Sequence, residues 1–178
     1  MKEITAKENI VFEGNIIRVK NDEVILPDGK LTTREVVIHR GGVCIVPIDE
    51  CGNVLLVKQF RYPFGQEVLE IPAGKRELDE EPFETAKREL SEETGCVAEK
   101  YDNLGSFMVT PGYCTEKFFI FLARGLTYYQ QHLDEGEFVS IVKMKLDDAL
   151  AKVYTNEIKD AKTVIGLLLA KKLIDEGK

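Results

Sequence analysis

The first third of the chain alternates short apolar runs with clusters of turn-forming residues. This pattern is typical of β-strands joined by tight turns. It predicts two hairpins and a further short strand at Val68–Ile71. The hairpins pair Val24–Leu26 with Glu35–Ile38 around Pro27–Lys30, and Val43–Pro47 with Val54–Val57 around Asp49–Asn53.

Apolar spacing changes to a helical period after this strand-rich region and predicts a helix over Glu80–Thr94. Asp79 is the expected N-cap, Pro82 suits the first turn, and Gly95 suits the C-terminal cap. The expected apolar stripe of this helix consists of Phe83, Ala86 and Leu90.

Strands return after the helix, and two helices end the chain. The strands are expected at Gly105–Val109, Phe118–Ala123 and Phe138–Met144, and the helices at Leu146–Tyr154 and Ile158–Ile174. The last helix is expected to bury Val164, Leu167, Leu168 and Ile174. This order favours an α+β fold, an α/β/α sandwich with a mixed sheet. Residues 1–40 are expected to form a separate small antiparallel sheet, and residues 41–178 the main domain.

Composition narrows the class of protein. The 178 residues are 44% apolar, enough for one sizeable core, and the net charge of −7 argues against non-specific nucleic-acid binding. Four cysteines without a CxxC pair and only two histidines argue against a zinc site and favour reduced thiols in the cytoplasm. No signal peptide and no apolar run of about 18 residues is present, so no membrane association is expected.

Three glutamates share one turn of the first predicted helix. Glu89, Glu92 and Glu93 are three and four residues apart, so like charges crowd on neighbouring positions. Each such pair costs a helix about 0.2–0.5 kcal/mol, and a hard cation such as Mg²⁺ or Mn²⁺ would relieve the repulsion. The alternative is a solvated acidic face without a ligand.

The residues around these glutamates follow a longer pattern. Gly74 is followed at fixed spacing by Glu80 and then by Arg88-Glu89-Leu90-x-Glu92-Glu93-x-Gly95-Cys96. This pattern resembles the Nudix box, and most of the chain resembles the ADP-ribose pyrophosphatases of that family. The resemblance implies a Nudix-type sandwich and a metal-dependent hydrolase of phosphoric anhydride bonds.

The resemblance also implies roles for residues of the box. Glu89, Glu92, Glu93 and the main-chain carbonyl of Ala73 would hold the metal, and Glu92 and Glu93 would also serve catalysis. Arg88 would orient the glutamates by ion pairing. Glu80 would fix the geometry of loop and helix, while Gly74 and Gly95 would permit sharp turns.

A carboxylate from a distant loop completes such sites in this group of enzymes. The loop Leu133–Phe138 resembles that segment. Glu135 is the expected general base and Glu137 an additional metal ligand. Two alternatives stay open: the loop is simply a solvated acidic turn, or a glutamate of the helix acts as the base.

Further residues point to the substrate. Pro111 lies 15 residues beyond Cys96 (111 − 96), a spacing that marks ADP-ribose hydrolases in the family. The resemblance implies substrate contacts for Arg61, Glu70, Pro111, Glu116, Arg34 and Phe12, with Arg61 on a phosphate and Phe12 stacked on adenine. A surface arginine, a plain Pro-Gly turn and a core phenylalanine are the alternatives.

The function expected from this resemblance is Mg²⁺-dependent hydrolysis of ADP-ribose to AMP and ribose 5-phosphate. The alternatives are hydrolysis of another nucleoside diphosphate derivative, such as a nucleotide sugar or a dinucleoside polyphosphate, and nucleotide sensing without catalysis. A homodimer is implied, with residues 1–40 supplying dimer contacts and the adenine site.

Overall fold

The computed structural model describes residues 1–77 and 79–177, and these form two compact units. The first unit comprises Met1–Gly41 and Phe107–Phe118, and the second comprises Gly42–Ser106 and Phe119–Lys178. Residues 107–118 therefore group with the N-terminal residues although they are distant in sequence. Leu78, inside the box, and Lys178, at the end of the expected main domain, lie outside the described residues.

The first unit is built on an antiparallel sheet, as the turn pattern predicts. Strand β3 is its centre: β4 pairs along one side, and β1 and β2 pair one after the other along the opposite side. Gly29, with φ of 84°, closes the turn between β3 and β4, a conformation that suits glycine. The strands are β1 (Ile4–Lys7), β2 (Ile10–Glu13), β3 (Ile17–Ile25) and β4 (Leu31–His39).

The second unit combines helices with strands that belong to two sheets. The strands, which include parts of β9 and β10 from the first unit, are β5 (Gly42–Pro47), β6 (Asn53–Arg61), β7 (Gln66–Glu70), β8 (Ala73–Lys75), β9 (Cys96–Met108), β10 (Lys117–Tyr128) and β11 (Val139–Lys145). The helices are α1 (Pro82–Thr94), α2 (Leu146–Tyr154) and α3 (Ala161–Asp175), with one 3₁₀ turn at Tyr62–Phe64. One sheet has the order β8-β5-β10-β9 and the other β11-β6-β7.

The hairpin predicted for β5 and β6 is wrong. At the turn, Ile48 bridges Val54 and the N–H of Asp49 donates to the carbonyl of Asn53 at 3.0 Å, but β5 belongs to one sheet and β6 to the other. β5 is buried along nearly its whole length, whereas β6 is buried only at Val54–Val57. β6 pairs with β7, which follows it closely in sequence, and with the distant β11.

Helices cover both faces of β5. Successive side chains of a strand point to opposite faces, and Val43 and Ile45 share a buried cluster with Ala86 and Leu90 of α1. Val46, on the other face, packs against Gly166 of α3. This helix–sheet–helix arrangement agrees with the predicted sandwich. Within the described residues, no helix is long and apolar enough to cross a membrane.

The start of α1 differs from the prediction. Glu81 is the N-cap residue and makes no side-chain cap bond, whereas Asp79 lies in the preceding turn with φ of 62°. Pro82 occupies the first turn and Gly95 the left-handed C-terminal cap, as predicted. The helix is therefore held in place by its buried face rather than by a side-chain cap.

The buried face of α3 also differs from the prediction. Leu167 is fully buried, but Leu168 is 40% exposed. The buried stripe is Thr163, Gly166, Leu167 and Ala170, which follows helical spacing but uses mainly small residues. A Cβ on Gly166 would lie only 2.9 Å from Cδ1 of Ile71, so this close approach selects the face of the helix.

The neighbouring leucines of α3 provide a matched stability test. We expect Leu167→Ala to lower the free energy of unfolding by about 2–5 kcal/mol, because it opens a cavity in the core. Leu168→Ala should cost less than about 1 kcal/mol, since its side chain is partly solvated. Urea unfolding of both variants measures the difference, and equal losses would contradict this orientation of α3.

Candidate active site

Helix α1 carries the clustered carboxylates at a fixed rotation. Ala86 and Leu90 are fully buried, and this anchors the helix on its core face. Gly95, with φ of 65°, ends the helix, and its N–H donates to the carbonyl of Ser91 at 2.9 Å. The helix therefore presents Arg88 and the three glutamates to the main chain that follows β7.

Two of the glutamates are buried rather than solvated. Glu89 is 8% exposed and Glu93 4% exposed, so a freely solvated acidic face does not describe them. Burial raises the pKa of Glu93 to about 8 and that of Glu89 to about 7. The negative charge of Glu137 contributes to both of these shifts. These are carboxylates for which a bound cation would replace a proton.

The main chain of β8 lies directly against these two side chains. The N–H of Ala73 donates to Oε2 of Glu93 at 2.8 Å. A Cβ on Gly74 would lie 1.7 Å from Cδ of Glu89. Gly74 does not have a positive φ, so the sharp-turn interpretation is wrong for it. Its function is to let the Glu89 carboxylate approach the strand, whereas Gly95 does adopt the predicted left-handed turn.

Arg88 joins the helix to the preceding loop. Its Nη1 donates to Oε1 of Glu89 and to Oε2 of Glu92, both at 2.8 Å, and its Nε donates to Glu80 at 3.1 Å. Its Nη2 donates to the carbonyl of Lys75 at 3.2 Å. The ion pair with Arg88 lowers the pKa of Glu80 to about 2. Arg88 thus makes the ion pairs that the family resemblance implies, and its orienting role stays a prediction.

The carboxylate oxygens of the α1 glutamates are the type of ligand that a hard divalent cation prefers. The buried oxygen donors of Glu89 and Glu93 repel each other, and a cation would relieve that repulsion. Among residues 1–77 and 79–177, no three acidic, histidine or cysteine side chains form a metal-binding group. Arg88 holds Glu89 and Glu92, and the Ala73 amide holds Glu93, so these carboxylates would have to exchange these partners for a cation.

A segment from the end of β10 is bound to the end of α1. The N–H of Tyr129 donates to the carbonyl of Gly95 at 2.6 Å, and the N–H of His132 donates to that of Glu92 at 3.2 Å. Nε2 of Gln131 donates to the carbonyl of Glu93 at 2.5 Å. Sequence reasoning missed Gln131, which has no signal beyond a polar run.

The acidic loop after this segment places its two carboxylates differently. Glu137 is one of the main electrostatic influences on Glu89 and Glu93, and Glu135 is not. Glu135 is exposed in a turn that the N–H of Glu137 closes by donating to the carbonyl of Asp134 at 3.1 Å. The base and ligand roles of these two residues stay predictions.

Arg61 and Glu70 form a bidentate ion pair at the ends of β6 and β7. Nε of Arg61 donates to Oε1 of Glu70 at 2.6 Å, and Nη2 donates to Oε2 at 2.8 Å. The charges of Arg61 and Glu93 are close enough to affect each other's pKa. The structure thus brings Arg61 into the electrostatic range of the carboxylate cluster.

The remaining predicted substrate residues lie in the first unit. Pro111 is exposed in the loop before β10, and Glu116 lies 3.6 Å from Nδ1 of His39. Arg34, on β4, pairs with Glu3 at 2.7 Å. Phe12, on β2, is 53% exposed, so the core-phenylalanine alternative is wrong. Their contacts with a substrate stay predictions.

Comparison with known proteins agrees with this architecture. The NUDIX domain model matches residues 38–165, and the model of the nucleoside diphosphate sugar hydrolase N-terminal domain matches residues 3–37. A solved structure of an ADP compounds hydrolase superposes with a TM-score of 0.89, covering 99% of this chain and 96% of that one at 22% identity. The predicted fold class is confirmed.

Two curated relatives extend over nearly the whole chain. The ADP-ribose pyrophosphatase of Bacillus subtilis is 40% identical over 94% of this chain and 91% of its own length. The methanol dehydrogenase activator of Bacillus methanolicus is 39% identical, with 93% and 91% covered. Together with the carboxylate cluster of α1, these matches show that the chain belongs to the Nudix family and is a hydrolase.

Proposed function

We propose that this enzyme hydrolyses the diphosphate bond of ADP-ribose to AMP and ribose 5-phosphate with a divalent cation, Mg²⁺ or Mn²⁺. The observation that carries the proposal is the burial of Glu89 and Glu93 against the main chain of β8. Two buried carboxylates with raised pKa values form a site whose electrostatics favour a cation and, through it, a diphosphate.

The cation would be held by residues of α1 and the segments packed on it. Glu89, Glu92, Glu93 and the carbonyl of Ala73 are the proposed ligands, with Glu137 as an additional one. A bound divalent cation neutralises phosphate oxygens and lowers the pKa of water. Arg88 positions two of these carboxylates, because its Nη1 binds Glu89 and Glu92 at once.

The base that accepts a proton from water belongs to the same region. We assign it to Glu135, with Glu92 and Glu93 of α1 as the alternatives. Glu135 lies in the turn that also carries Glu137, and its side chain is exposed to solvent. A base on a loop can reach the water only when the loop lies over the substrate.

Arg61 is the proposed contact for a phosphate of the substrate. Its pair with Glu70 uses two of the five N–H donors of a guanidinium and leaves three for another acceptor. Glu70 contributes by orienting Arg61. We assign further substrate contacts to Pro111, Glu116, Arg34 and Phe12, with Phe12 stacked on adenine.

The choice of ADP-ribose rests on the spacing of Pro111 and on the Bacillus subtilis relative. A nucleotide sugar is the second candidate, because the N-terminal model is that of a nucleoside diphosphate sugar hydrolase. We also propose a homodimer in the cytoplasm. Apolar side chains exposed on the N-terminal sheet support dimerisation, among them Ile4, Ile10, Val11, Phe12 and Leu31.

Turnover of ADP-ribose with Mg²⁺ tests the proposed reaction directly. We expect AMP and ribose 5-phosphate, measured as phosphate released by added alkaline phosphatase, which acts on the products. ADP-glucose and GDP-mannose should turn over more slowly. Glu93→Gln should lose most of the activity, while Glu84→Gln, a solvated position on the same helix, should keep it. Absence of turnover of ADP-ribose with Mg²⁺ and Mn²⁺ would refute the proposal.

The buried carboxylates predict a pH-dependent effect of the metal on stability. Folding raises the pKa of Glu93 from 4.5 to about 8 and that of Glu89 to about 7. Their protonated forms favour the fold below their ordinary pKa, and this contribution is lost as pH rises through the raised values. The metal-free protein should therefore lose stability between about pH 5 and about pH 8.

Thermal unfolding with EDTA and with Mg²⁺ checks this expectation. The gain in Tm on adding Mg²⁺ should be larger at about pH 8 than at about pH 6, because the cation then no longer competes with protons. Glu93→Gln, which stays neutral, should flatten the profile of the metal-free protein. A gain that is independent of pH would contradict a cation at these carboxylates.

Substitution of Gly74 should weaken metal binding without disrupting the fold. Gly74→Ala should displace the Glu89 carboxylate and weaken Mn²⁺ binding by about 10- to 100-fold, as removal of supporting contacts does at other metal sites. The backbone accepts alanine there, since φ is not positive. Calorimetry measures the affinity, with Gly112→Ala, where a Cβ meets open space, as the control. Unchanged affinity in Gly74→Ala would exclude Glu89 as a ligand.

A further inference from the structure

Four charged side chains of the second unit form a linear network beside the carboxylate cluster. Arg61, Glu70, Lys162 and Asp160 alternate in charge along this network. Glu70 is at its centre, with a side chain only 2% exposed. Lys162 lies 92 residues from Glu70 along the chain, in a stretch, Ile158–Thr163, that resembles the opening of the last helix of the ADP-ribose pyrophosphatases.

The two oxygens of Glu70 have three donors between them. Oε1 accepts from Nε of Arg61, whereas Oε2 accepts from Nη2 of Arg61 and from Nζ of Lys162. Burial raises the pKa of Glu70, but Arg61 and Lys162 outweigh burial and lower it below its usual value. A buried carboxylate in this position needs cationic partners to stay ionised.

The first turn of α3 holds Lys162 in place. Oδ1 of Asp160 accepts from Nζ of Lys162 at 2.7 Å, while Oδ2 caps the helix by accepting from the N–H of Thr163 at 2.9 Å. The hydroxyl of Thr163 accepts from the N–H of Ile71 at 2.9 Å. The helix therefore binds two consecutive residues at the end of β7: Lys162 binds Glu70, and Thr163 binds Ile71.

The network has no net charge, and this affects how Arg61 meets an anionic substrate. The two cations match the two anions, so a diphosphate that approaches Arg61 meets a neutral group with free N–H donors. Without Lys162, the network carries one uncompensated negative charge next to the arginine. That charge would repel an anionic substrate, and Glu70 would lose a donor that fixes its orientation.

We propose that Lys162 is a positioning residue that holds Glu70, and through it the guanidinium of Arg61, in the geometry and charge state that bind the substrate diphosphate. The proposal rests on the proposed function in one respect, the contact of Arg61 with a substrate phosphate. It adds a residue of α3 that does not touch the substrate but determines its affinity.

Lys162→Met tests this role, because methionine keeps the length of the side chain and removes its charge. We expect KM for ADP-ribose to rise about tenfold with kcat changed less than about threefold, as loss of uniform binding predicts. Lys159→Met is the matched control: it makes the same change of charge at an exposed position before the same helix and should leave both constants unchanged.

A double-mutant cycle separates positioning from simple stabilisation. If Lys162 acts through Arg61, Lys162→Met should change KM by less than about twofold in an Arg61→Ala background. An equal rise in KM in both backgrounds would overturn the proposal. So would a lower Tm with unchanged KM. If Lys162→Met fails to fold, Lys162→Gln and Lys162→Arg replace it. The proposal then requires a higher KM for Lys162→Gln than for Lys162→Arg, which keeps the positive charge.

A measurement without turnover keeps this inference distinct from the proposed reaction. The Nε–H signal of Arg61 in NMR, assigned by its loss in Arg61→Ala, should exchange more slowly with solvent in the wild type than in Lys162→Met. ADP should bind the wild type more tightly by calorimetry. If ADP-ribose is not cleaved but both differences are seen, the reaction is wrong and the positioning role holds. Unchanged exchange and ADP affinity would overturn the role whatever the substrate.

Discussion

The burial of two like charges on one turn of α1 is the constraint on which the active-site region depends. Glu89 and Glu93 are both removed from water, and each meets a different group of the β8 main chain. An isolated pair of this kind opposes folding, because desolvation and mutual repulsion act in the same direction. The surrounding structure offsets this cost: the buried face of α1 holds the helix, and Arg88 distributes positive charge over Glu89, Glu92 and Glu80.

Local signals in the sequence predicted the approximate extent of α1, but not its N-cap, which is Glu81 instead of Asp79, nor the 43% exposure of Phe83. Pro82 and Gly95 mark its ends, and the spacing of the glutamates correctly predicts a shared turn. The family resemblance implies that Arg88 pairs with the glutamates, and the structure shows ion pairs of Arg88 with Glu89 and Glu92. The pattern did not predict the burial of Glu89 and Glu93. This burial depends on β8, whose residues Ala73 and Gly74 pack against the two side chains.

Features that depend on distant partners were not predictable from one sequence. The runs that form β5 and β6 look like a hairpin, but beyond the turn, where Ile48 bridges Val54, the two strands belong to different sheets. Leu168 fits an apolar stripe in the sequence. The small residues Gly166 and Ala170 allow closer packing, however, so that their side of α3 faces the core and Leu168 is partly exposed. The sequence does not show that Lys162 contacts Glu70, because the two residues are 92 positions apart and only the fold brings them together.

The hydrogen bonds between residues 129–132 and the end of α1 have a consequence for how such an enzyme changes over evolution. The segment is fastened to the helix before the acidic loop begins, so the loop can gain or lose residues without moving the helix. A carboxylate on the loop can therefore migrate from one position to another while the glutamates of α1 stay in register. The position of the α1 glutamates therefore does not depend on the length of the acidic loop.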